Sequence, residues 1–281
     1  MIHKPIQMSW DDRGRLWVAS SAIYPHIKPG QEQSDKIIVL EDTNGDGKAD
    51  KSTVFFEGLI IPTGIMPADG GAYVANSTEL LFMKDTDGDG RADTREALLS
   101  GFGTEDTHHI IHALHWGIDG RLYFHQTIYI HSHVETPWGL VRANSGVAFA
   151  YDPNTERLEV HSKGLVNAWG QQEDLNGQTF LTSGADSSGV HWAFPGATFP
   201  PSEGARRLIG SISPGSYPKF SGLELVHSPL FGPDWQGNAI TCDFRAHRIV
   251  RFGFNDFSVT DAAKSGYVTK ELPDVVRTSD V

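Results

Sequence analysis

Cysteine is almost absent from this sequence, since Cys242 is the only one among 281 residues. An intrachain disulfide and a metal site built from several thiolates are therefore both excluded. Basic residues are also few: 23 Lys and Arg stand against 35 Asp and Glu, and the formal net charge is -12. Because no Lys/Arg cluster offsets this charge locally, phosphate backbones and anionic lipids are repelled, and we expect no nucleic-acid partner.

Long apolar runs are missing as well, because no stretch approaches the roughly 20 residues that span a bilayer. The chain does contain 30 Gly, 15 Pro and seven Trp, with 39% hydrophobic and 21% charged residues. This composition is typical of a turn-rich globular protein and not of a disordered one.

A turn followed by a short apolar strand recurs five times along the chain. The turns lie about 50 to 60 residues apart, which is close to the length of one propeller blade. The repeats are DDRGRLWVAS at 11–20, ADGGAYVANS at 68–77, IDGRLYFHQT at 118–127, LNGQTFLTSG at 175–184 and WQGNAITCDF at 235–244, anchored by Gly14, Gly71, Gly120, Gly177 and Gly237.

Each repeat lies within four β-branched or aromatic runs separated by Gly, Asp and Pro turns, such as IQMSW, RLWVAS, KIIVLED and STVFFEG. The pattern predicts an all-β fold: a single β-propeller domain over 1–281 with five four-stranded antiparallel blades present. A long excursion at 128–145 interrupts the third blade, and an irregular stretch at 195–222 replaces the outer strand of the fourth. Because an unclosed propeller exposes a sheet edge, we expect the domain to be truncated before its last blade.

Several strings carry a resemblance to a known family: LEDTNGDGKAD, IPTGIMPADGGAYVANSTELL, GFGTEDTHHIIHALHWGIDGRLYF, IHSHVETPWG, GLVNAWG and DWQGNAITCDFRAHRIVRF. Together they resemble the membrane-bound dehydrogenase propellers of planctomycetes and verrucomicrobia, distant relatives of the soluble quinoprotein glucose and sorbosone dehydrogenases. The resemblance implies a six-bladed β-propeller, a periplasmic or otherwise extracytoplasmic location and oxidation of a carbohydrate or related alcohol. It further implies pyrroloquinoline quinone as cofactor and a cytochrome c as electron acceptor.

Histidines are concentrated at the entrance to the third blade, where seven of the 13 lie between 108 and 133. In a propeller, the loops that lead into first strands and those between second and third strands gather on one face. We therefore expect His108, His109 and His112 to form a catalytic group there. In the quinoprotein family a catalytic histidine stands eight residues before a turn glycine, and His109 stands eight before Gly117. The resemblance thus makes His109 the candidate general base.

Cofactor-binding candidates lie on the same predicted face: Asn167, Trp169, His131, His133 and Glu135. In the related quinoproteins the residue before this Asn is often Arg, whereas this chain has Val166. The missing guanidinium removes a clamp for carboxylates and weakens the inference of the anionic quinone.

Two other functions remain open from the sequence. His108, His109 and His112 could bind zinc, iron or copper in a metal-dependent lyase or lactonase, although neighbouring residues of a strand point to opposite faces. Alternatively, exposed aromatics such as Tyr24, Trp138 and Trp169 could stack on sugar rings in a carbohydrate-binding propeller without catalysis.

Two Asp-rich segments match the first part of a calcium loop, in which oxygen ligands alternate around a glycine turn. Both lie between predicted third and fourth strands and not between helices, so we expect structural calcium near the outer rim. The candidate ligands are Asp42, Asn44, Asp46, Lys48 and Asp50 in the first loop, and Asp85, Asp87, Asp89, Arg91, Asp93 and Glu96 in the second.

Overall fold

The computed structural model describes residues 2–185, 189–200, 210–215, 219–254, 267 and 269–279. This part of the chain consists of 22 β-strands, one short 3-10 helix at Pro233–Trp235 and connecting loops. No helix within it is long and apolar enough to cross a membrane.

Blades 1 and 2 are complete four-stranded antiparallel sheets, each with its strands in chain order. Blade 1 contains β1 (Lys4–Trp10), β2 (Leu16–Ser21), β3 (Asp35–Glu41) and β4 (Lys51–Leu59). Blade 2 contains β5 (Pro62–Ala68), β6 (Gly71–Asn76), β7 (Glu79–Lys84) and β8 (Thr94–Ser100).

Blade 3 carries the predicted excursion as a separate hairpin. Its strands in chain order are β9 (His112–Trp116), β10 (Leu122–Gln126), the hairpin β11 (His131–Thr136) and β12 (Gly139–Asn144), β13 (Val147–Asp152) and β14 (Arg157–Lys163). The blade sheet runs β9-β10-β13-β14, and the hairpin forms a two-stranded sheet of its own.

Blade 4 has three strands in the described part of the chain; of the stretch predicted to be irregular at 195–222, residues 201–209 and 216–218 lie outside the described residues. It contains β15 (Ala168–Glu173), β16 (Thr179–Ser183) and β17 (Val190–Ala193), after which β18 (Ala197–Thr198) pairs in parallel with β14 of blade 3. Blade 5 is again four-stranded, with β19 (Phe220–Leu225), β20 (Ala239–Asp243), β21 (Arg248–Gly253) and β22 (Lys270–Arg277). The prediction of an all-β propeller with five blades is thus confirmed.

The turns between first and second strands explain why the repeats are visible in the sequence. Gly14, Gly120, Gly177 and Gly237 all have φ near +70° to +77°, a region that favours glycine. In blade 2 the equivalent glycine is Gly70 at φ +75°, and the predicted anchor Gly71 already belongs to β6. The shift of one residue arises because ADGG carries two adjacent glycines.

The first strands of the blades line the centre of the propeller and contact one another in chain order: β1 with β5, β5 with β9, β9 with β15 and β15 with β19. The approach is so close that a Cβ at Gly170 of β15 would lie 2.3 Å from the backbone of Gly222 in β19. Gln7 of β1 reaches across to β9, where its amide donates to the Leu114 carbonyl at 2.8 Å. The inner strands therefore form one connected framework.

Apolar side chains between blades form the core, because each sheet packs one face against the next blade. One cluster joins blades 1 and 2 around Trp17, Ile37 and Ile65. A second joins blades 2 and 3 around Leu80 and Phe124. Because consecutive turns of an antiparallel meander alternate between its ends, loops that enter first strands and loops that follow second strands share one end of the propeller. We call this end the upper face.

Candidate functional site

A cavity of about 310 Å³ opens on the upper face, where loops of blades 3, 4 and 5 meet. Its volume lies at the lower end of the range of small-molecule sites, roughly 300–1,000 Å³. The lining residues are His109, Ile128, Tyr129, Val166, Asn167, Gly184, Ala185, Lys219 and Arg245.

The lining residues occupy equivalent positions in the three blades. Asn167 and Lys219 stand immediately before the first strands β15 and β19, and His109 stands three residues before β9. Tyr129, Ala185 and Arg245 follow the second strands β10, β16 and β20. The repeat architecture therefore gathers six side chains from distant parts of the sequence into one site.

His109 is the titratable side chain best placed within this cavity. Its ring is largely buried, with 15% of the side chain exposed, and Nδ1 makes a short contact with the Thr127 hydroxyl. Nε2 lies 3.8 Å from a carboxylate oxygen of Asp106, too far for a hydrogen bond. In the tautomer that donates Nδ1–H to Thr127, Nε2 carries a free lone pair.

Burial lowers the pKa of His109 below its ordinary value, because a desolvated imidazole resists protonation. The Asp106 carboxylate acts in the opposite direction, whereas the positive charge of Lys219 lowers the pKa further. His109 is therefore a neutral imidazole at pH 7, which is the form that accepts a proton.

The two other predicted catalytic histidines lie in different environments. His108 is half-exposed, hydrogen-bonded through Nδ1 to Asp106 at 2.8 Å, and packed edge-on against Tyr24. His112 is buried in β9, with Nδ1 2.7 Å from the Ile110 carbonyl and Nε2 2.9 Å from the Ala168 carbonyl. Both nitrogens lie against backbone carbonyls of blades 3 and 4, so the His112 ring is enclosed between these blades and does not line the cavity.

The hairpin residues predicted to bind cofactor are exposed and do not line the cavity. His131, His133 and Glu135 alternate along β11 with the buried Ser132 and Val134. His131 forms an ion pair with Glu105 at 3.3 Å when its ring is protonated. This alternation follows from the period of two in a strand, which turns all three polar residues away from the protein.

Of the two predicted residues in GLVNAWG, Asn167 lines the cavity and Trp169 does not. Asn167 is 9% exposed, and its Oδ1 finds no hydrogen-bond donor among the described residues. Trp169 packs against the ring of His112, with centroids 4.3 Å apart. Asn167 therefore has an unsatisfied acceptor for a ligand, whereas Trp169 is a packing residue.

Lys219 and Arg245 are functional candidates that the sequence analysis missed. Neither forms an ion pair with a carboxylate in the described part of the chain, and both line the cavity. Lys219 lies over the ring of Phe244, 5.8 Å from its centroid. Two cations without a carboxylate partner among the described residues give this cavity a local positive charge in a protein of net charge -12, which favours an anion over a cation.

The histidines do not form a metal cage. Among the described residues, only Asp85, Asp87 and Asp89 bring three acidic, histidine or cysteine ligand atoms within 4.8 Å of one another. The alternative in which His108, His109 and His112 share a transition metal therefore has no support from the geometry of the described residues.

The two Asp-rich segments form the β3–β4 and β7–β8 turns, as predicted. In each, the first aspartate accepts backbone N–H groups of the turn: Asp42 from Gly45 and Gly47, and Asp85 from Gly88 and Gly90. These backbone hydrogen bonds lower the pKa of Asp85 and of Asp42. Asp50 and Asp93 instead bind the side chains of Thr43 and Thr86.

The remaining predicted calcium ligands lie around these turns, with one departure. Asp46 and Asp89 accept the backbone N–H of Lys48 and Arg91. Glu96 belongs to β8, where it pairs across the strand with Phe82, and it stands outside the group of Asp85, Asp87 and Asp89. In an EF-hand, the glutamate at the twelfth loop position binds the ion. Here the turn leads into a strand and not into a helix, and Glu96, which occupies the twelfth position, lies away from the three aspartates.

The fold and the cavity together define the class: a β-propeller with a polar cavity on its upper face. An oxidoreductase (glucose dehydrogenase) from Thermus thermophilus superimposes with a TM-score of 0.65 at 12% identity, over 99% of this chain and 85% of that chain. The pyrroloquinoline-quinone-bound aldose sugar dehydrogenase of Streptomyces coelicolor superimposes with a TM-score of 0.62 at 13% identity, over 98% of this chain and 83% of that chain. A Trichoderma reesei protein of carbohydrate-active enzyme family AA12 superimposes with a TM-score of 0.60 at 12% identity, over 91% of this chain and 79% of that chain.

At identities this low, the three TM-scores show that the chain has the β-propeller fold of these proteins. The chain itself belongs to the family described as domain of unknown function DUF7133, whose model matches residues 1–280. No curated protein matches the sequence.

Proposed function

We propose that this protein is a sugar or alcohol dehydrogenase of the quinoprotein type, with its active site in the upper-face cavity. The observation that carries the proposal is a neutral, partly buried imidazole, His109, in the same cavity as Lys219 and Arg245, two cations without a carboxylate partner in the described part of the chain. The imidazole suits proton abstraction from a hydroxyl group, and the two cations suit an anionic cofactor.

The residues of the cavity fit pyrroloquinoline quinone, the cofactor of the Streptomyces coelicolor structure. Lys219 and Arg245 would pair with its carboxylates. The side-chain oxygen of Asn167, which has no donor among the described residues, would accept a hydrogen bond from the cofactor or the substrate. Val166 stands where related quinoproteins often have Arg, so in this chain blade 5 supplies the cations in place of blade 4. When bound, such a quinone accepts the hydride of the alcohol carbon.

His109 would act as the general base. Its Nε2 lone pair takes the proton of the substrate hydroxyl, while Thr127 holds Nδ1 and so fixes the orientation of the ring. A positioned base of this kind contributes a factor of roughly 10² to 10⁴ to the rate.

A dye-linked oxidation assay tests the proposal. The protein is reconstituted with calcium and pyrroloquinoline quinone and supplied with a panel of aldoses and alcohols. We expect quinone-dependent turnover that falls at least roughly 100-fold in His109→Gln. The exposed His227, which is outside the cavity, gives the matched control His227→Gln with unchanged turnover. A folded, calcium-loaded protein that oxidises nothing with the quinone contradicts the dehydrogenase assignment.

We infer that the Asp-rich turns bind calcium in a structural role. The convergence of Asp85, Asp87 and Asp89 supports this for the β7–β8 turn, because calcium prefers several carboxylate oxygens. The turn lies at the end of the propeller opposite the cavity, so its ion would stabilise the fold and would not contact substrate.

We also propose a complete ring of six blades. In the described structure, β1 and β19 do not make the extended contact that joins the other neighbouring first strands. A sixth blade would close that gap and remove an open edge. An experimental structure of the protein in which β1 pairs side by side with β19 would contradict this proposal.

A further inference from the structure

Tyr129 has a backbone conformation that its residue type disfavours. It follows β10 at the upper face, and its φ is +79°, in the left-handed region where a side chain is strained. Strain of this kind persists only where the surroundings enforce it, and it is concentrated at ligand sites.

The turn that carries Tyr129 is held in place by contacts that do not involve its ring. Thr127 N–H donates to the His109 carbonyl at 3.0 Å, and Ile128 N–H donates to the Val166 carbonyl at 3.0 Å. After the tyrosine, the fully buried Ile130 accepts from Ser145 N–H at 2.8 Å and from the Gln126 amide at 3.2 Å. The fold therefore determines the backbone of Tyr129 from both sides.

The Tyr129 side chain, in contrast, contributes little to the fold. It is 59% exposed, and none of the described residues hydrogen-bonds its hydroxyl. Its ring contact is with His109, edge to face, with centroids 5.6 Å apart. A large aromatic ring is thus held at the rim of the cavity, next to the candidate base, at the expense of backbone strain.

We propose that Tyr129 is the stacking residue for the substrate, and that the substrate is a sugar in its ring form. The apolar C–H face of a pyranose or furanose would lie on the open face of Tyr129, which brings its hydroxyls toward His109 Nε2 and Asn167. An open-chain alcohol has no such face. This inference rests on the proposed function for the identity of the ligand, but it makes a separate claim about binding.

Three variants separate a binding role from a structural one. Tyr129→Gly removes the ring and adopts a positive φ without strain, Tyr129→Phe keeps the ring, and Trp10→Ala removes another exposed aromatic that lies outside the cavity. Binding of glucose, galactose and xylose is measured by calorimetry and by saturation-transfer NMR on the full chain with bound quinone, and again without it. Thermal midpoints are measured in parallel.

We expect Tyr129→Gly to weaken aldose binding roughly tenfold, as loss of an aromatic contact does. Its thermal midpoint should equal or exceed that of the wild type, because the strain is relieved. Tyr129→Phe and Trp10→Ala should bind within about twofold of the wild type. Unchanged aldose affinity in Tyr129→Gly overturns the stacking role. A lowered thermal midpoint also overturns it, because the ring would then stabilise the fold.

The two proposals fail in different ways. Wild-type protein that binds aldoses through Tyr129 but never oxidises them contradicts the dehydrogenase and supports the stacking residue. Quinone-dependent turnover with the same KM in wild type and Tyr129→Gly supports the dehydrogenase and contradicts the stacking residue. If the wild-type protein binds none of the three aldoses, with or without quinone, the stacking role of Tyr129 is also overturned.

Discussion

His109 is held between opposing electrostatic influences, and this balance determines the pH range in which it can act as a base. Burial and Lys219 lower its pKa, and the Asp106 carboxylate raises it. The net direction is downward, so the neutral form persists below the ordinary titration range of histidine. We therefore expect kcat/KM to stay constant as the pH decreases to about 6.5 and to fall only below that value, where His109 becomes protonated.

Two substitutions should move this pKa in opposite directions. Asp106→Asn removes the charge that favours imidazolium and should lower the pKa of His109. Lys219→Met removes the charge that disfavours it and should raise the pKa. Titration of the ring C–H resonances by NMR measures both shifts, with His109→Gln to assign the signal.

The exposed turn residue Glu156, which belongs to the β13–β14 connection, supplies the control variant Glu156→Gln, for which we expect no shift. If both charge-removing variants move the titration in the same direction, the electrostatic account of His109 is wrong.

At the residue level the sequence predicts only part of the site. His109 and Asn167 were found because they lie in strings that resemble a known family. Lys219, Arg245 and Tyr129 were missed, although they occupy the same positions before first strands and after second strands. That positional rule, applied to blade 5, could have indicated Lys219 and Arg245. The φ of Tyr129 could not have been foreseen, because it results from long-range contacts of the turn.

At the level of elements, Asp35 connects two strands of blade 1 with the linker that leads into blade 2. This carboxylate is 1% exposed and accepts hydrogen bonds from the Ser21 hydroxyl at 2.5 Å and from Ala22 N–H at 2.7 Å. It also accepts from Ile23 N–H at 3.2 Å and Ile61 N–H at 2.8 Å. One buried side chain thus fixes the end of β2, the start of β3 and the linker before β5.

Asp35→Asn should destabilise the protein by about 1–3 kcal/mol, because the amide nitrogen cannot accept and one buried N–H loses its partner. Urea unfolding monitored by tryptophan fluorescence measures the change. Asp12→Asn, at an exposed turn position, should stay within about 0.5 kcal/mol of the wild type. Equal urea midpoints for the two variants would show that the hydrogen bonds of Asp35 do not stabilise the fold.

The strands are the most predictable elements, because four apolar runs per blade alternate with Gly and Asp turns. Blades 1 and 2 show this pattern in full, and β1–β4 lie within one or two residues of the predicted runs IQMSW, RLWVAS, KIIVLED and STVFFEG. The pairing of β18 with blade 3 was not predictable, since two residues, Ala197 and Thr198, carry no periodicity. Asp35 was equally hidden, because a single polar residue before an apolar run has the appearance of an exposed loop.

At the level of the whole molecule, blades 1 and 2 are joined at the lower end as well as through the core. The β7–β8 turn of blade 2 reaches blade 1, where Ala92 N–H donates to the Phe55 carbonyl at 2.8 Å. The same turn lines a groove of about 810 Å³ between the two blades, together with the turns at 11–15 and 67–71. An ion in this turn would therefore stabilise an interface between blades and not only a local loop.

Calcium should raise the thermal midpoint of the whole protein through this interface. An ion that binds only the folded state contributes about 2.7 kcal/mol at 100 times its Kd, which corresponds to a shift of roughly 5 °C for a domain of this size. Asp85→Asn should remove much of the shift, because Asp85 is one of three converging carboxylates.

The matched control is Asp152→Asn. Asp152 holds the corresponding turn of blade 3 through Asn154 N–H and the Thr155 hydroxyl, but it is not part of a converging group of carboxylates among the described residues. Scanning calorimetry with calcium, with magnesium and with chelator should show a calcium-specific shift in wild type and Asp152→Asn that is reduced in Asp85→Asn. Equal calcium shifts in all three proteins would assign the stabilisation to another site, and no shift in any would rule out a structural ion at the β7–β8 turn.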